Sequence, residues 1–508
     1  MNRAGEAGSG QESARDEGRW WSLDVRSIAA FRVLLGVVIL ADLLYRAGDL
    51  AAFYTDAGIH PRGLGGSARF AFLHGLSGGL VWQVVLAIVH GALAVAVMLG
   101  VRTKLALAGC WLMLASMNQR NTWILQLADA VLVYWTIYAL MLPCAERFAL
   151  RPTPGNPGRD RVHSVATLLV IVQIVAIYES AGIHKALTET WTRGTLLIEA
   201  MRIDPVASDL GRHLLAWPAL LRGATWGTLA VELLGPLVAV LSWRIGWLRT
   251  AICFVFIGFH VLGIALMMDL GLVAHALAIV WVLLLPSWFW DVGLPRLGVV
   301  RFARLRPSLA SEASAAWSRR ASLCVALVWG LAWWPELPAS WGLPRAPAAL
   351  DTALHVAGVR QYAFSLWTDP VGSRRWAFPA RLRDGHEVDL LTGAALDWDA
   401  LGRPKNNHWY KAFQKMQGNW DVVSMVTLYH VERWNAEHPP ERRVERVSIV
   451  ILWDEKMPAD WWIEQSHPAT ARVPSHRITQ ADFRVEDRDG DVVLHRLPGT
   501  RGAEPADR

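Results

Sequence analysis

Apolar positions in this chain gather into long runs instead of the short alternations of a soluble fold. Nine runs are long enough, at about 17–25 residues, to cross roughly 30 Å of hydrocarbon. They cover residues 28–47, 80–100, 103–119, 124–143, 163–184, 224–243, 249–268, 271–290 and 321–337. A tight polar turn, MNQRNTW, separates the third from the fourth, and the ninth ends at Pro335. From about residue 340 the pattern changes. Residues 376–395 read as strands broken by the turn pair Asp384-Gly385, residues 404–437 as helices, and 443–453 and 481–496 as further strands. The fold class expected is an all-α polytopic membrane bundle of about nine transmembrane helices with a C-terminal extracytoplasmic α+β domain. Its bounds are a disordered cytoplasmic N-terminus over 1–19, a transmembrane domain over 20–338, the outer domain over 345–498 and a disordered tail over 499–508.

Composition agrees with a membrane chain. Of the 508 residues 53% are hydrophobic and only 19% charged, where a soluble domain carries about 25% charge. Mean hydropathy is +0.26. The 28 tryptophans suit the water–lipid boundary. These figures exclude a disordered, collagen-like or wholly soluble protein. The net charge of +6 raises the question of nucleic acid, but the basic residues lie between apolar runs and form no single patch, so no nucleic-acid partner is expected. Their distribution orients the chain instead. With a cytoplasmic N-terminus in the cell (inner) membrane, the inside loops collect Arg102, Lys104, Arg147, Arg151, Arg159, Arg161, Arg244, Arg249, Arg296 and the arginines from 301 to 320. Cys110, Cys144, Cys253 and Cys324 show no CxxC and no ligand spacing, so no metal is expected.

Charged side chains inside a membrane are costly, which makes each one a functional candidate. Some have ordinary explanations. Arg32 can snorkel to the inner surface, Asp42 and Arg46 can pair at i,i+4, and His90 can hydrogen-bond a neighbouring helix. The others converge on one side: His60 after the first span, Asn118, Arg120 and Asn121 in the polar turn, Asp129 beyond it, Tyr178, Glu179, His184 and Lys185 in YESAGIHK, then Glu232, His260 and His275. They suggest a polar pocket entered from the outer leaflet. Tyr178 and Lys185 share a helical stripe with Gly182 between them. A desolvated Lys185 can serve as a general base; the bland alternative is an ion pair with Glu189 at i,i+4. The histidines show no metal spacing, and a structural or proton-relay role fits them.

Several segments carry a family resemblance. FRVLLGVVILADLLYRAGDLAAFYTDAGIHPR, NQRNTWILQLADAVLVYWTIYALMLP, YESAGIHKALTETWTRGTLLIEAM, VELLGP and FHVLGIALMMDLG with LLLPSWFWD resemble, in order, HTTM-domain proteins. These are bacterial relatives of the vitamin K-dependent gamma-carboxylase. The resemblance covers about residues 20–292, and WTDPVGSRRWAF, DLLTG and YHVERWN are similar to the outer tail of such proteins. It implies an enzyme of the lyase class in which Lys185, in GIHKALTETW, deprotonates a reduced quinone, either vitamin K hydroquinone or menaquinol. Oxygen then adds, and a strongly basic intermediate removes a glutamate γ-proton before CO2 is captured. Quinone epoxide is the second product. The co-substrates implied are O2 and CO2; the partners are membrane lipid, the quinone and an extracytoplasmic protein or peptide. Asn118, Arg120 and Asn121 fall in the segment resembling the quinone-pocket turn, although this chain has Arg120-Asn121 where the family typically has Asn-His. The competing reading is a non-catalytic lipid-binding or assembly protein acting through its Trp-rich outer domain. A transporter is less favoured, since no inverted repeat is visible.

Overall fold

The computed structural model describes residues 20–64, 71–152, 160–299, 346–357, 372–398, 403–455, 475–488 and 491–497, with positions 327, 330, 331 and 401 besides. Both expected disordered termini, and the expected ninth span except for positions 327, 330 and 331, lie outside the described residues. A two-residue strand β1 (Leu23–Asp24) leads into α1 (Val25–Ala47) and the short α2 (Leu50–Tyr54). Then follow α3 (Leu80–Leu99), α4 (Thr103–Arg120), α5 (Leu127–Met141), β2 (Arg161–Val162), which pairs with β1, and α6 (Val165–Ala186). Beyond a few short helical turns come α7 (Pro218–Leu241), α8 (Gly246–Met267), α9 (Val273–Leu284) and α10 (Phe289–Arg296).

Five of these helices, α1, α3, α6, α7 and α8, are long and apolar enough to cross a membrane; α9 and α10 make a sixth if their 87° bend is one broken span. The sequence reading had nine. Its third candidate, α4, ends in Asn118-Gln119-Arg120, buried against the rest of the bundle. Its fourth, α5, has 15 residues, where about 20 are needed to span the core. Its eighth breaks at Leu285-Pro286, because proline cannot continue the hydrogen-bond ladder.

Local signals set the helix starts. Asp24 caps α1 by accepting from the Arg26 amide at 2.8 Å, Gln126 and Asp129 form a capping box on α5, and Ser164 with Thr167 does the same for α6. Helices α1 and α6 are largely enclosed by their neighbours, whereas α3 and α8 turn Val81, Ile88, Phe254 and Leu262 outward. An outward apolar face of that kind is what lipid would cover. Arg32 does not snorkel as expected. It is fully buried and donates to the carbonyls of Met98, in the last turn of α3, and of Phe148, in the loop after α5.

After the short α11 (Ala348–Val356), a six-stranded antiparallel sheet is built from β3 (Arg374–Ala377), β4 (Pro379–Leu382), β5 (Glu387–Asp389), β6 (Val444–Asp454), β7 (Ser475–Arg488) and β8 (Asp491–Arg496). The order is β5-β4-β6-β7-β8, with β3 also paired to β6. Between β5 and β6 lie α12 (Asn407–Lys415) and α13 (Trp420–Glu437). They pack on the sheet through Trp376, Phe378, Trp409, Phe413 and His430. These elements match the expected α+β domain, with the Asp384-Gly385 turn between β4 and β5.

The loop entering α12 joins this domain to the bundle. Asp49, in the α1–α2 corner, accepts from Lys405 Nζ at 2.8 Å, Asn406 Nδ2 at 2.7 Å and Trp409 Nε1 at 3.3 Å. Asn407 adds a backbone bond to the Tyr45 hydroxyl at 3.0 Å and a side-chain bond to the Asp269 carbonyl at 2.9 Å. His408 fills the space between, its ring 5.1 Å from Tyr45 and 6.0 Å from Phe53. Hydrogen bonds to a charged acceptor contribute about 1.5–3 kcal/mol each, and the half-buried Asn406 and buried Trp409 donors should outweigh the largely solvated Lys405. We therefore predict that Asp49→Ala exposes residues 403–409 to limited proteolysis and lowers the thermal midpoint, whereas Lys405→Met changes both far less.

Candidate functional site

Two polar centres are built into the bundle, where the sequence reading expected one pocket. The first is set by a close approach of α6 and α7. A Cβ on Gly182 would lie 2.8 Å from Leu233 Cδ2 and 3.4 Å from the Leu233 amide nitrogen, so only glycine admits this contact. The gap at Gly182 is thus filled by α7 and does not lie open between Tyr178 and Lys185. One residue along, Lys185 Nζ donates to both Glu232 carboxylate oxygens at 2.5 Å. Both residues are only 5% exposed. The Trp191 ring closes the outer side, its centroid 4.8 Å from Nζ. The alternative pair with Glu189 does not form. Helix α6 ends at Ala186, which breaks the i,i+4 geometry, and Glu189 pairs with Arg193 at 3.1 Å.

About two turns back along α6, the Tyr178 hydroxyl accepts from Trp281 Nε1 at 2.8 Å and lies 2.5 Å from His260 Nε2. Tryptophan can only donate. Both partners are satisfied when Tyr178 donates to His260 Nε2, which puts the imidazole proton on Nδ1. That buried Nδ1 has no hydrogen-bond partner. His260 lies in a π-helical stretch, Phe259–Ile264, inside α8, and such insertions often accompany functional sites. Phe256 and Trp281 stack at 3.6 Å behind the pair. The sequence reading missed both, because an aromatic within an apolar run carries no signal beyond burial.

The second centre lies where α1, α5 and the α1–α2 corner meet. Arg46 donates to both Asp42 oxygens at 2.8 and 3.1 Å, to the Tyr54 hydroxyl at 2.7 Å, and to Asp129. The expected Asp42–Arg46 pair is present, and its capture of Asp129 and Tyr54 is new. Asn118 donates to the Asp129 carbonyl at 3.4 Å, and Asn121 to the Phe53 carbonyl at 2.9 Å. Arg120 donates to the His60 carbonyl at 2.5 Å and reaches Asp56 at 3.4 Å. The polar turn therefore braces the loop that follows α2. The His60 ring is buried edge-on to Trp123 at 4.5 Å. Burial, with the Arg120 charge beside it, pushes its imidazole down to about 4.

Three predicted residues stand outside both centres. His184 is exposed and contacts the Ser180 carbonyl at 2.6 Å, because a residue adjacent to Lys185 lies about 100° around the helix. Glu179 is half-buried with Oε1 unpartnered, and His275 is half-buried with Nδ1 unpartnered. Among the described residues no group of three or more His, Cys, Asp or Glu converges as a metal site. Comparison with protein-family models, with characterised proteins and with solved structures gives no match for this chain.

The first centre offers an amine and a carboxylate able to exchange one proton, beside an imidazole N–H that lacks an acceptor. The centre can therefore move a proton within the pair and donate a hydrogen bond from His260 Nδ1. Its energetics are equally specific. Removing one member of a buried pair costs about 3–5 kcal/mol, while an apolar pair of similar volume is often tolerated. Glu232→Leu alone should therefore lower the thermal midpoint sharply, and Lys185→Met with Glu232→Leu should restore most of it. His60 gives a pH signature. Its folded proton affinity lies below the ordinary histidine value of about 6.5, so its contribution is present above pH 6.5 and lost as pH falls towards 4. His60→Gln should flatten stability against pH across that window.

Proposed function

We propose that this chain is an HTTM-type protein of the cell (inner) membrane that oxidises a reduced quinone, menaquinol or vitamin K hydroquinone, with Lys185 as the base. The observation that carries this reading is the buried Lys185–Glu232 pair about two helical turns along α6 from Tyr178 and its partner His260. The quinol, when bound, supplies electrons to O2, and the balance is quinone epoxide plus water. Proton handling falls to the protein. In a low-dielectric site, transfer of the Lys185 proton to Glu232 leaves two neutral groups, which removes the cost of holding separated charges. The neutral amine then accepts a quinol hydroxyl proton. Tyr178 and Trp281 hold His260 in the tautomer that points an N–H donor from Nδ1. Trp191 keeps water from the amine.

Carboxylation of a glutamate, with CO2 as co-substrate and an extracytoplasmic protein or peptide as acceptor, is the coupled step in this proposal. It places α4, α5 and the apolar run at 321–337 across the membrane as well, giving nine spans, a cytoplasmic N-terminus and an outer C-terminal domain. The arginines at 102, 147, 161, 244, 249 and 296 support that orientation.

The test uses the full chain in lipid with reduced menaquinone or vitamin K, oxygen and bicarbonate, with quinone epoxide followed by mass spectrometry. Wild type should form epoxide, and Lys185→Ala should lose at least about 100-fold in rate, the low end for a general base. Glu232→Gln should lose activity while Lys185 stays in place. Absence of epoxide above the Lys185→Ala background across several quinols would overturn the reading and favour the non-catalytic assembly protein.

A further inference from the structure

The Arg46 centre has a feature that the quinol reading does not use. Asp42, Arg46 and Asp129 are each 2% exposed. They bring one fixed cation and two carboxylates into a single hydrogen-bonded group. The next cation, Arg120, directs its guanidinium to the His60 carbonyl and to Asp56, which also pairs with the more exposed Arg62 at 2.7 Å. Tyr54 contributes a neutral hydroxyl. The group is thus one negative charge in excess, in a place where an uncompensated charge is expensive.

A cavity with room for a single water-sized molecule lies against this group. Arg46, Tyr54, His74, Gln83 and His90 supply its polar lining, from α1, α2, the loop before α3, and α3. His74 is engaged by Ser116 Oγ at 3.0 Å. His90 is 1% exposed, and neither ring nitrogen has a partner. The expected bond from His90 to a neighbouring helix is absent; Gln83 Oε1 is likewise unpartnered. Unpaired buried groups around a water-sized space point to a small polar occupant. Tyr45 and His408 are further titratable neighbours, with His408 packed over Tyr45 and Phe53 from the C-terminal domain.

We propose that the Asp42–Arg46–Asp129 centre holds one exchangeable proton on its carboxylates, and that this proton exchanges through the Tyr54 hydroxyl, which borders both, with a water in the cavity bounded by His90. Two carboxylates sharing one buried site do not both ionise when a single cation serves them. A metal ion is a poor alternative, because Arg46 already occupies the carboxylate oxygens and Gln83 Oε1 is the main free oxygen facing the cavity. Because this site is separate from Lys185 and Glu232, it can be tested without reference to the quinol reaction.

Infrared spectroscopy of the full chain in lipid reads the proton directly. At neutral pH the wild type should show the C=O band of a protonated carboxyl, with the shift that follows exchange into D2O. The band should be lost in Asp129→Asn and in Asp42→Asn, since either change balances the charge. Thermal unfolding checks that both isosteric variants fold. His90→Phe, which fills the cavity, should keep the band and slow its exchange. Absence of the band in the wild type would overturn the proposal, as would a band unchanged in both Asn variants. So would a sodium-dependent gain in thermal stability in place of the band.

Discussion

A charge removed from water must meet its counter-charge on another part of the fold, and that requirement organises this molecule. Arg26 ties the start of α1 to Asp24 and to Asp291 at the far end of the bundle. Arg46 ties the other end of α1 to α5, and Lys185 ties α6 to α7. Lipid offers no driving force between apolar helices comparable to water's, so close packing and buried polar contacts must specify which helices meet. Arg26–Asp291, Arg46–Asp129 and Lys185–Glu232 each join residues distant in sequence. Replacing one by an apolar pair would cost little stability on its own, but it would remove a constraint on register. What the pairs provide is arrangement.

Fold class could be read from the sequence because it rests on local pattern. Long apolar runs, capping residues such as Asp24 and Ser164, and the Asp384-Gly385 turn all act within a few residues. The span count was less legible. Helices α4 and α5 look like membrane spans by apolar content, yet the Asn118–Arg120 segment and Asp129 are inside because partners elsewhere satisfy them. Site residues divide in the same way. Lys185 stood out because charge in an apolar run is rare. Glu232 stood out as well, but not as its partner, since choosing Glu232 over Glu189 depends on how closely α6 approaches α7 at Gly182. His90 was read as an ordinary structural histidine, because no sequence pattern reveals that a space beside it is left unfilled. The Asp42–Arg46 spacing was visible, while the third member, Asp129, comes from 83 positions further along the chain.

The two centres divide the bundle by chemistry. One pairs a lysine with a glutamate, so its charges can cancel by a single proton transfer. The other is built on an arginine, whose guanidinium does not give up its proton in proteins, so any change of charge there must occur on the carboxylates. Aromatic rings wall the first centre, and histidines line the second. A π-helical turn brings His260 to the first by shifting the inward face of α8 by one residue partway along its length.

The contact between Asp49 and the loop before α12 has a consequence in time. Lys405 follows Asp49 by 356 residues. Ribosomes add roughly 5–20 residues per second, so about 20–70 s pass between the synthesis of the acceptor and that of its donors. Throughout that interval the α1–α2 corner presents a carboxylate, the Tyr45 hydroxyl and the Phe53 ring with nothing of their own chain to cover them. The newborn bundle therefore passes through a period in which insertion factors, lipid headgroups or water stand in for a domain not yet made.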